Sequence, residues 1–354
     1  MTVAFLRRAR RSAPLVAAGL ALVALAGFAC AGNAAERLPA LGADQDAVTV
    51  SGVSSGGAMA VQFHLAHSAF IRGAGAIAAP PYYCAMGSAW TALNNCMAPS
   101  AWARPPSTEF LANLTKEFAN GEAIDPLARL AGSKVWLFSG TRDETVAPQI
   151  VAALRDFYRN VAPGADVALV ADVPAGHAMV TSGAGNACAT SEPPYINNCG
   201  YDAAGKLLER LLGKLLAPAD RGGRLVEFDQ REFAGGAPAA ISLADSGYAF
   251  VPRECERERC RVHVVFHGCR QNAQAVGERF VRESGYNRWA ETNRLLVLYP
   301  QTIARWGWSW GGGFVFNPRG CWDWWGYTGP AYATKAGPQI RAVRAMIERV
   351  ASPR

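Results

Sequence analysis

The sequence predicts an α/β protein built on a mostly parallel central sheet with helices on both faces. An alternating segment at 47–51 runs into the turn Gly52-Val53-Ser54-Ser55-Gly56-Gly57 and then into a helix-compatible stretch at 58–65. Short apolar segments at 135–138, 167–170, 262–266 and 295–299 have the length and continuous hydrophobicity of buried parallel strands. Amphipathic stretches with helical spacing, at 149–160 and 201–216, stand among them.

Taken in chain order, the first strand–turn–helix has the form G-x-S-x-G, a tight turn that holds a serine hydroxyl clear of the backbone. Ser54 is that serine; Ser55 does not fit the motif, because the residue two before it is Val53. Residues 80–106 read as irregular and cysteine-containing, followed by a helix around 109–118. Strand 135–138 then runs into a loop carrying Asp143, and the helix at 149–160 follows. Strand 167–170 exits into Pro174-Ala175-Gly176-His177. The helix at 201–216 sets Leu207, Leu208, Leu211, Leu212 and Leu215 on one side. Alternating strands are expected at 225–233 and 248–252, and the strand at 262–266 ends in His267-Gly268-Cys269. A strand at 295–299 and a terminal helix with Ile340, Val343, Met346, Ile347 and Val350 on one face complete the set. No linker rich in Pro, Thr or Ser divides the chain and no repeat is evident, so 36–354 is expected to be a single catalytic domain.

Ser54, Asp143 and His177 thus follow one another, each just beyond a predicted strand, in the Ser, Asp, His order of an α/β-hydrolase. Ester cleavage by serine needs a base to take the hydroxyl proton, an acid to orient that base, and dipoles aimed at the developing oxyanion. His177 is the candidate base, Asp143 its partner, and the backbone N–H groups of Ser55 and Cys269 the candidate oxyanion donors. In an ordinary α/β-hydrolase the loop that supplies the second donor precedes the serine in the chain. Here it follows by more than two hundred residues, so a circularly permuted α/β-hydrolase fold is expected. Asp172 and Asp202 compete for the acid's role. His64 and His67 fall on the elbow helix as surface or packing residues, His263 lies within a strand, and His267 is expected to shape its loop through hydrogen bonds.

Residues 1–35 read as a secretory signal: Arg7, Arg8, Arg10 and Arg11, an apolar stretch at 15–29, then small residues. The stretch is too short and too weakly flanked for a stable membrane span. Removing it takes away four arginines and no acids, lowering the formal charge from +7 to +3, and a nucleic-acid role loses its main support. Eight of the nine cysteines remain, an even number that points to disulfides in an oxidising compartment, and hence to a secreted, extracellular or periplasmic protein. Spacing suggests Cys84 with Cys96, Cys188 with Cys199, Cys255 with Cys260, and Cys269 with Cys321, although eight cysteines allow 105 arrangements. With no C-x-x-C, no H-E-x-x-H and scattered histidines, no metal or cofactor is expected. A monomer is expected.

Six of the ten tryptophans fall at 306–325: Trp306, Trp308, Trp310, Trp322, Trp324 and Trp325. The glycines among them make the segment loop-like, where so much aromatic surface is hard to bury, and partial exposure suits an apolar ligand.

With Ser54-Ser55-Gly56-Gly57, His267-Gly268-Cys269 and Cys321-Trp322-Asp323-Trp324 in place, the chain resembles the extracellular poly(3-hydroxybutyrate) depolymerases of the single-domain, circularly permuted type. The segments at 140–146, 176–177, 194–199 and 285–287 extend the resemblance to about residues 45–350. It implies a nucleophile, acid and base at Ser54, Asp143 and His177, oxyanion donors at Ser55 and Cys269, a polymer contact at Trp324 with Trp322 and Trp306 nearby, and the four cysteine pairs above. It also implies hydrolysis of a water-insoluble aliphatic polyester to monomers and short oligomers through an acyl-enzyme. A carbohydrate esterase, such as a feruloyl or acetyl-xylan esterase, is the competing enzyme reading; a non-catalytic polymer-binding protein is the competing reading of another class.

Overall fold

The computed structural model describes residues 1–2, 4, 35–219, 222–308 and 314–354, so nearly all of the expected signal, and Trp310 with it, lies outside the described residues. The elbow unit comes first: β1 (Val48–Val53), α1 (Ser55–Ala66) and β2 (Ile71–Ile77). Next are α2 (Ala89–Asn95), α3 (Thr108–Asn120), β3 (Lys134–Phe138), α4 (Pro148–Val161) and β4 (Asp166–Val170). Three short strands, β5 (Met179–Thr181), β6 (Asn186–Ala187) and β7 (Ile196–Asn198), precede α5 (Ala203–Leu212). The second half opens with β8 (Arg224–Asp229), β9 (Ser246–Val251) and β10 (Arg261–Phe266). It continues with α6 (Ala273–Val276), α7 (Arg279–Glu283), α8 (Tyr286–Thr292) and β11 (Leu295–Tyr299). A hairpin of β12 (Arg305–Trp308) and β13 (Phe314–Asn317) leads to α9 (Pro338–Ala351).

Eight strands form one sheet in the order β4-β3-β2-β1-β10-β11-β9-β8. All run parallel except β9, which pairs antiparallel with both β11 and β8. Numbered from β8 to β11 and then from β1 to β4, the order reads 1-2-4-3-5-6-7-8. The strand leading to Ser54 is therefore central, and every residue of it is buried, as expected where helices cover both faces. Residues Ala35–Arg354 form one compact unit around this sheet.

β1 and β10 also share a polar seam. Thr49 and Ser51 bond the two ring nitrogens of His263 at 2.8 Å each, and Ser51 bonds Tyr286 Oη at 2.9 Å. Each of these polar groups is buried, so the seam supplies partners that burial would otherwise remove.

Several segments depart from expectation, among them residues 80–106, read as irregular, which contain α2 with Ser88 as its N-cap. β2, Ile-Arg-Gly-Ala-Gly-Ala-Ile, has no apolar pattern of its own because a helix supplies the bulk: a Cβ on Gly75 would lie 2.2 Å from Leu207 Cδ1, and one on Gly73 3.1 Å from Leu211 Cδ2. The expected strand at 225–233 ends at Asp229 and finishes in a 3-10 turn, Arg231–Phe233. The expected helix at 201–216 stops at Leu212, where Gly213 takes φ 86°. The segment at 306–325 is not simply a loop, since Trp306 faces Phe316 and Trp308 faces Phe314 across the β12–β13 ladder, and such cross-strand aromatic pairs stabilise a hairpin despite its glycines.

Gly75→Ala should overpack the β2–α5 contact and cost about 1–3 kcal/mol. In the Gly75→Ala/Leu207→Ala double variant the two losses should be less than additive. Denaturant unfolding of the two single variants and the pair measures the coupling; strict additivity would mean that the two residues do not share this space.

Candidate active site

The G-x-S-x-G turn is strained and tightly enclosed. Ser54 adopts φ 57° and ψ −121°, a left-handed conformation rare outside glycine. Its N–H donates to Ile77 O at 2.8 Å and its carbonyl accepts from Ala58 N at 2.9 Å, pinning the turn at both ends. A Cβ on Gly52 would lie 2.3 Å from the Gly56 backbone, and a Cβ on Gly56 would lie 2.2 Å from Phe266 O. Both positions therefore require glycine, which lets α1 start directly against β1 and β10. Ser55 is the first helical residue, so its N–H has no acceptor within α1.

Asp143 leaves the end of β3 in a tight turn. Its Oδ1 accepts from Thr145 N at 2.9 Å and Val146 N at 2.8 Å, and its Oδ2 meets His177 Nδ1 at 2.8 Å. His177 follows β4 and is held through its own backbone, whose N–H donates to Ser191 Oγ at 2.8 Å. Gly176 N donates to Cys188 O at 2.9 Å beside the Cys188–Cys199 disulfide. Ser54 and His177 are 9% and 8% exposed and line one cavity of about 190 Å³. Of the competing acids, Asp202 caps α5 through Gly205 N at 2.9 Å and accepts from Trp289 Nε1 at 2.8 Å, while Asp172 is exposed. Neither makes a hydrogen bond to His177.

The loop after β10 is organised by side chains that sequence reasoning missed. Gln271, 1% exposed, accepts from Gly268 N through Oε1 at 2.7 Å and donates from Nε2 to Tyr195 O at 2.8 Å. Gly268 N is thereby occupied, and the next residue, Cys269, lines both cavities beside Ser54. His267 is fully buried; its Nδ1–H donates to Gly268 O at 2.7 Å and its Nε2 accepts from Thr302 N at 3.1 Å, which fixes a neutral tautomer. Its expected loop-shaping role has this geometric basis. No pattern in the sequence marks Gln271, Tyr195, Arg270 or Arg319 as lining the same cavity as His177.

A second cavity, also about 190 Å³, shares Ser54, Met97, Cys269 and Arg319 with the first and is mainly apolar, with Ala78, Leu93, Phe316 and Trp324 in its walls. The three expected tryptophan contacts separate here. Trp324 is 7% exposed and lines this cavity. Trp306 is 69% exposed on the hairpin, its ring edge-on to Phe316. Trp322 is a correction: at 0% exposure it lies edge-on to Phe266 at 4.9 Å and against His267 at 5.7 Å, so it packs behind the site and offers no surface to a ligand. Buried Asp323 accepts from Trp325 N, Gly326 N, Tyr327 N, Thr328 N and Thr328 Oγ1, curling the chain so that Trp324 and Trp325 both reach the cavity. The sulfurs are joined as Cys84–Cys96, Cys188–Cys199, Cys255–Cys260 and Cys269–Cys321, and the last pair ties the Cys269 loop to the tryptophan segment. Among the described residues, no group of three or more His, Cys, Asp or Glu is placed to hold a metal ion, and no helix is long and apolar enough to cross a membrane.

Burial lowers the His64 and His263 rings to about 3 and His267 to about 4, so all three are neutral when folded. Unfolding returns them toward 6.5, and the unfolded chain then binds more protons than the folded one between these values. Their stabilising share is full above 6.5 and is lost as pH falls toward the folded values. His64, bonded to Tyr158 Oη and Ser133 Oγ away from both cavities, isolates one such group. His64→Gln should reduce the loss of stability between pH 7 and pH 5 by about 2 kcal/mol, read from urea unfolding; an unchanged pH slope would contradict a buried neutral ring.

No protein-family model matches the chain. It is 43% identical over 359 residues to the poly(3-hydroxybutyrate) depolymerase of Delftia acidovorans, an alignment covering 99% of this chain and 67% of that protein. It is 36% identical over 329 residues to the polyhydroxybutyrate depolymerase of Talaromyces funiculosus, covering 90% and 94%. Two solved structures, the PHB depolymerase from Penicillium funiculosum and a serine-to-alanine PHB depolymerase complexed with R3HB trimer, each match with a TM-score of 0.78 and 32% identity. Each match covers 89% of this chain and 98% of the solved one.

Proposed function

The chain belongs to the poly(3-hydroxybutyrate) depolymerases, carboxylic ester hydrolases with an α/β-hydrolase-like fold, and on that premise we propose that Ser54, His177 and Asp143 form its catalytic triad. The observation that carries the assignment is the 2.8 Å bond from His177 Nδ1 to Asp143 Oδ2, made in the cavity that Ser54 lines from its strained turn. With Nδ1–H held by the carboxylate, Nε2 is the basic nitrogen. It takes the Ser54 proton as Oγ attacks the ester carbonyl, and Asp143 stabilises the imidazolium that forms. The oxyanion is received by the N–H groups of Ser55 and Cys269, each such donor contributing on the order of a hundredfold in rate. Collapse expels the alkoxide, protonated by His177, and leaves the acyl chain on Ser54. Water activated by the same imidazole then releases the acid.

The substrate is the ester bond of poly(3-hydroxybutyrate) or a related polyhydroxyalkanoate. The apolar cavity supports a short aliphatic acyl unit against Trp324, and the hairpin offers apolar contact to an insoluble surface through Trp306, Trp308, Phe314 and Phe316, all at least 37% exposed. We read the strand order as a circular permutation that brings the Cys269 loop beside an elbow encoded far upstream. We read the chain as exported, with 1–35 as leader and 36–354 as one catalytic domain, because four disulfides fit an oxidising compartment.

Ser54→Ala should abolish release of soluble hydroxy acids from polyester films while leaving the unfolding transition intact; undiminished release by a folded, purified variant would refute the nucleophile. Trp324→Ala should depress hydrolysis of polymer more than that of a small p-nitrophenyl ester, and equal losses on the two substrates would make Trp324 a packing residue.

A further inference from the structure

Ser54, Met97, Cys269 and Arg319 line both cavities, and the rest of the two linings differs in chemistry. The cavity that contains His177 also contains Arg270 and Arg319, and no carboxylate side chain lines it. Exposed arginines elsewhere are commonly paired, as in Arg279–Glu283, Arg282–Glu278, Arg294–Glu258 and Arg231–Asp229. Among the described residues, Arg270 and Arg319 have no acidic partner, and Arg270 Nη1 reaches only Tyr195 Oη, at 3.4 Å.

The two guanidiniums are carried on backbones locked to each other. Arg270 N donates to Arg319 O at 2.8 Å, and the Cys269–Cys321 disulfide joins the same two loops. Arg270 and Tyr195 hold φ 60° and 58°, and the buried Gln271 side chain fixes the Tyr195 carbonyl opposite. Left-handed backbone at three non-glycine residues of one cavity, Ser54 included, marks a place where surrounding structure overrides local preference, as binding sites do.

The chemistry of the leaving group supplies the ligand. The imidazole that accepts the serine proton must return it to the departing oxygen, so the departing alcohol lies on the His177 side. In a 3-hydroxyalkanoate ester that alcohol carries a carboxyl group within a few bonds of the departing oxygen. At the carboxyl end of a chain this group is a free carboxylate, and planar guanidinium forks are suited to hold it. Resting on the triad reading above, we propose that Arg270 and Arg319 bind the terminal carboxylate of the departing hydroxy acid, so that ester bonds next to a free carboxyl end are cleaved in preference to those next to a capped one. The exposed aromatic hairpin serves the insoluble polymer; this cationic cavity serves the soluble oligomers released from it.

The test compares kcat/KM for a 3-hydroxybutyrate oligomer with a free carboxyl end against the same oligomer as its methyl ester. Wild type should favour the free acid, and the preference should shrink at high salt as the charges are screened. Arg270→Gln and Arg319→Gln should each lower the free-acid to methyl-ester ratio by up to about tenfold, mainly through KM, with Arg270→Lys retaining part of it. Equal turnover of the two oligomers by wild type, or parallel losses on both in the arginine variants, would overturn the proposal. Failure of the triad reading would appear separately, as p-nitrophenyl ester hydrolysis surviving in Ser54→Ala.

Discussion

The chain can turn at Ser54 only because Gly52 and Gly56 carry no side chain. Both α-carbons lie so close to neighbouring backbone that an added methyl would collide with it, at 2.3 Å for Gly52 and 2.2 Å for Gly56. That closeness does two things together: it bends Ser54 into a backbone conformation it would not choose, and it brings the end of β10 against the start of α1. The His267–Cys269 loop is therefore beside the serine because the elbow is tight, and a looser turn would lose the loop with it.

Around this point the remaining parts are held by dedicated bonds. Asp143 is bracketed by two backbone amides before it meets His177, so one carboxylate oxygen is fully committed to geometry and the other to the imidazole. Gln271 occupies the amide of Gly268, and His267 is held between Gly268 O and Thr302 N. Under the catalytic assignment proposed above, such fixed dipoles would act on a developing charge without the reorganisation that water requires. The tryptophan segment is joined to the same loop by a disulfide and shaped by Asp323, so the apolar wall and the polar loop form one supported piece.

Much of this was legible in the residues. A serine between a strand and a helix, an acid after the next clear strand and a histidine after the one following could be placed from the residues alone, and the structure puts Ser54 and His177 in one cavity with Asp143 bonded to the imidazole. The parts that could not be read depend on neighbours distant in the chain. β2 has a poor strand composition because Leu207 and Leu211 fill the space its own side chains leave. Trp322 and Trp324 look alike in sequence, yet one faces the core and the other a cavity, a difference set by the Asp323 turn. Gln271 carries no motif at all; its importance comes from a carbonyl at Tyr195, 76 residues away.

The seam between β1 and β10 joins Thr49 to His263 across 214 residues of chain. Pairings of such high contact order are entropically slow to form. During synthesis from the N-terminus the elbow strand waits, its buried edge unpaired, until nearly three quarters of the polypeptide has emerged. On the triad and oxyanion assignment proposed above, a half-made molecule would carry its serine without the Cys269 loop, and hydrolytic competence would come late. The same delay leaves an apolar central strand exposed to wrong partners in the interval, which makes the vectorial phase of production, more than the finished fold, the vulnerable stage in this molecule's life.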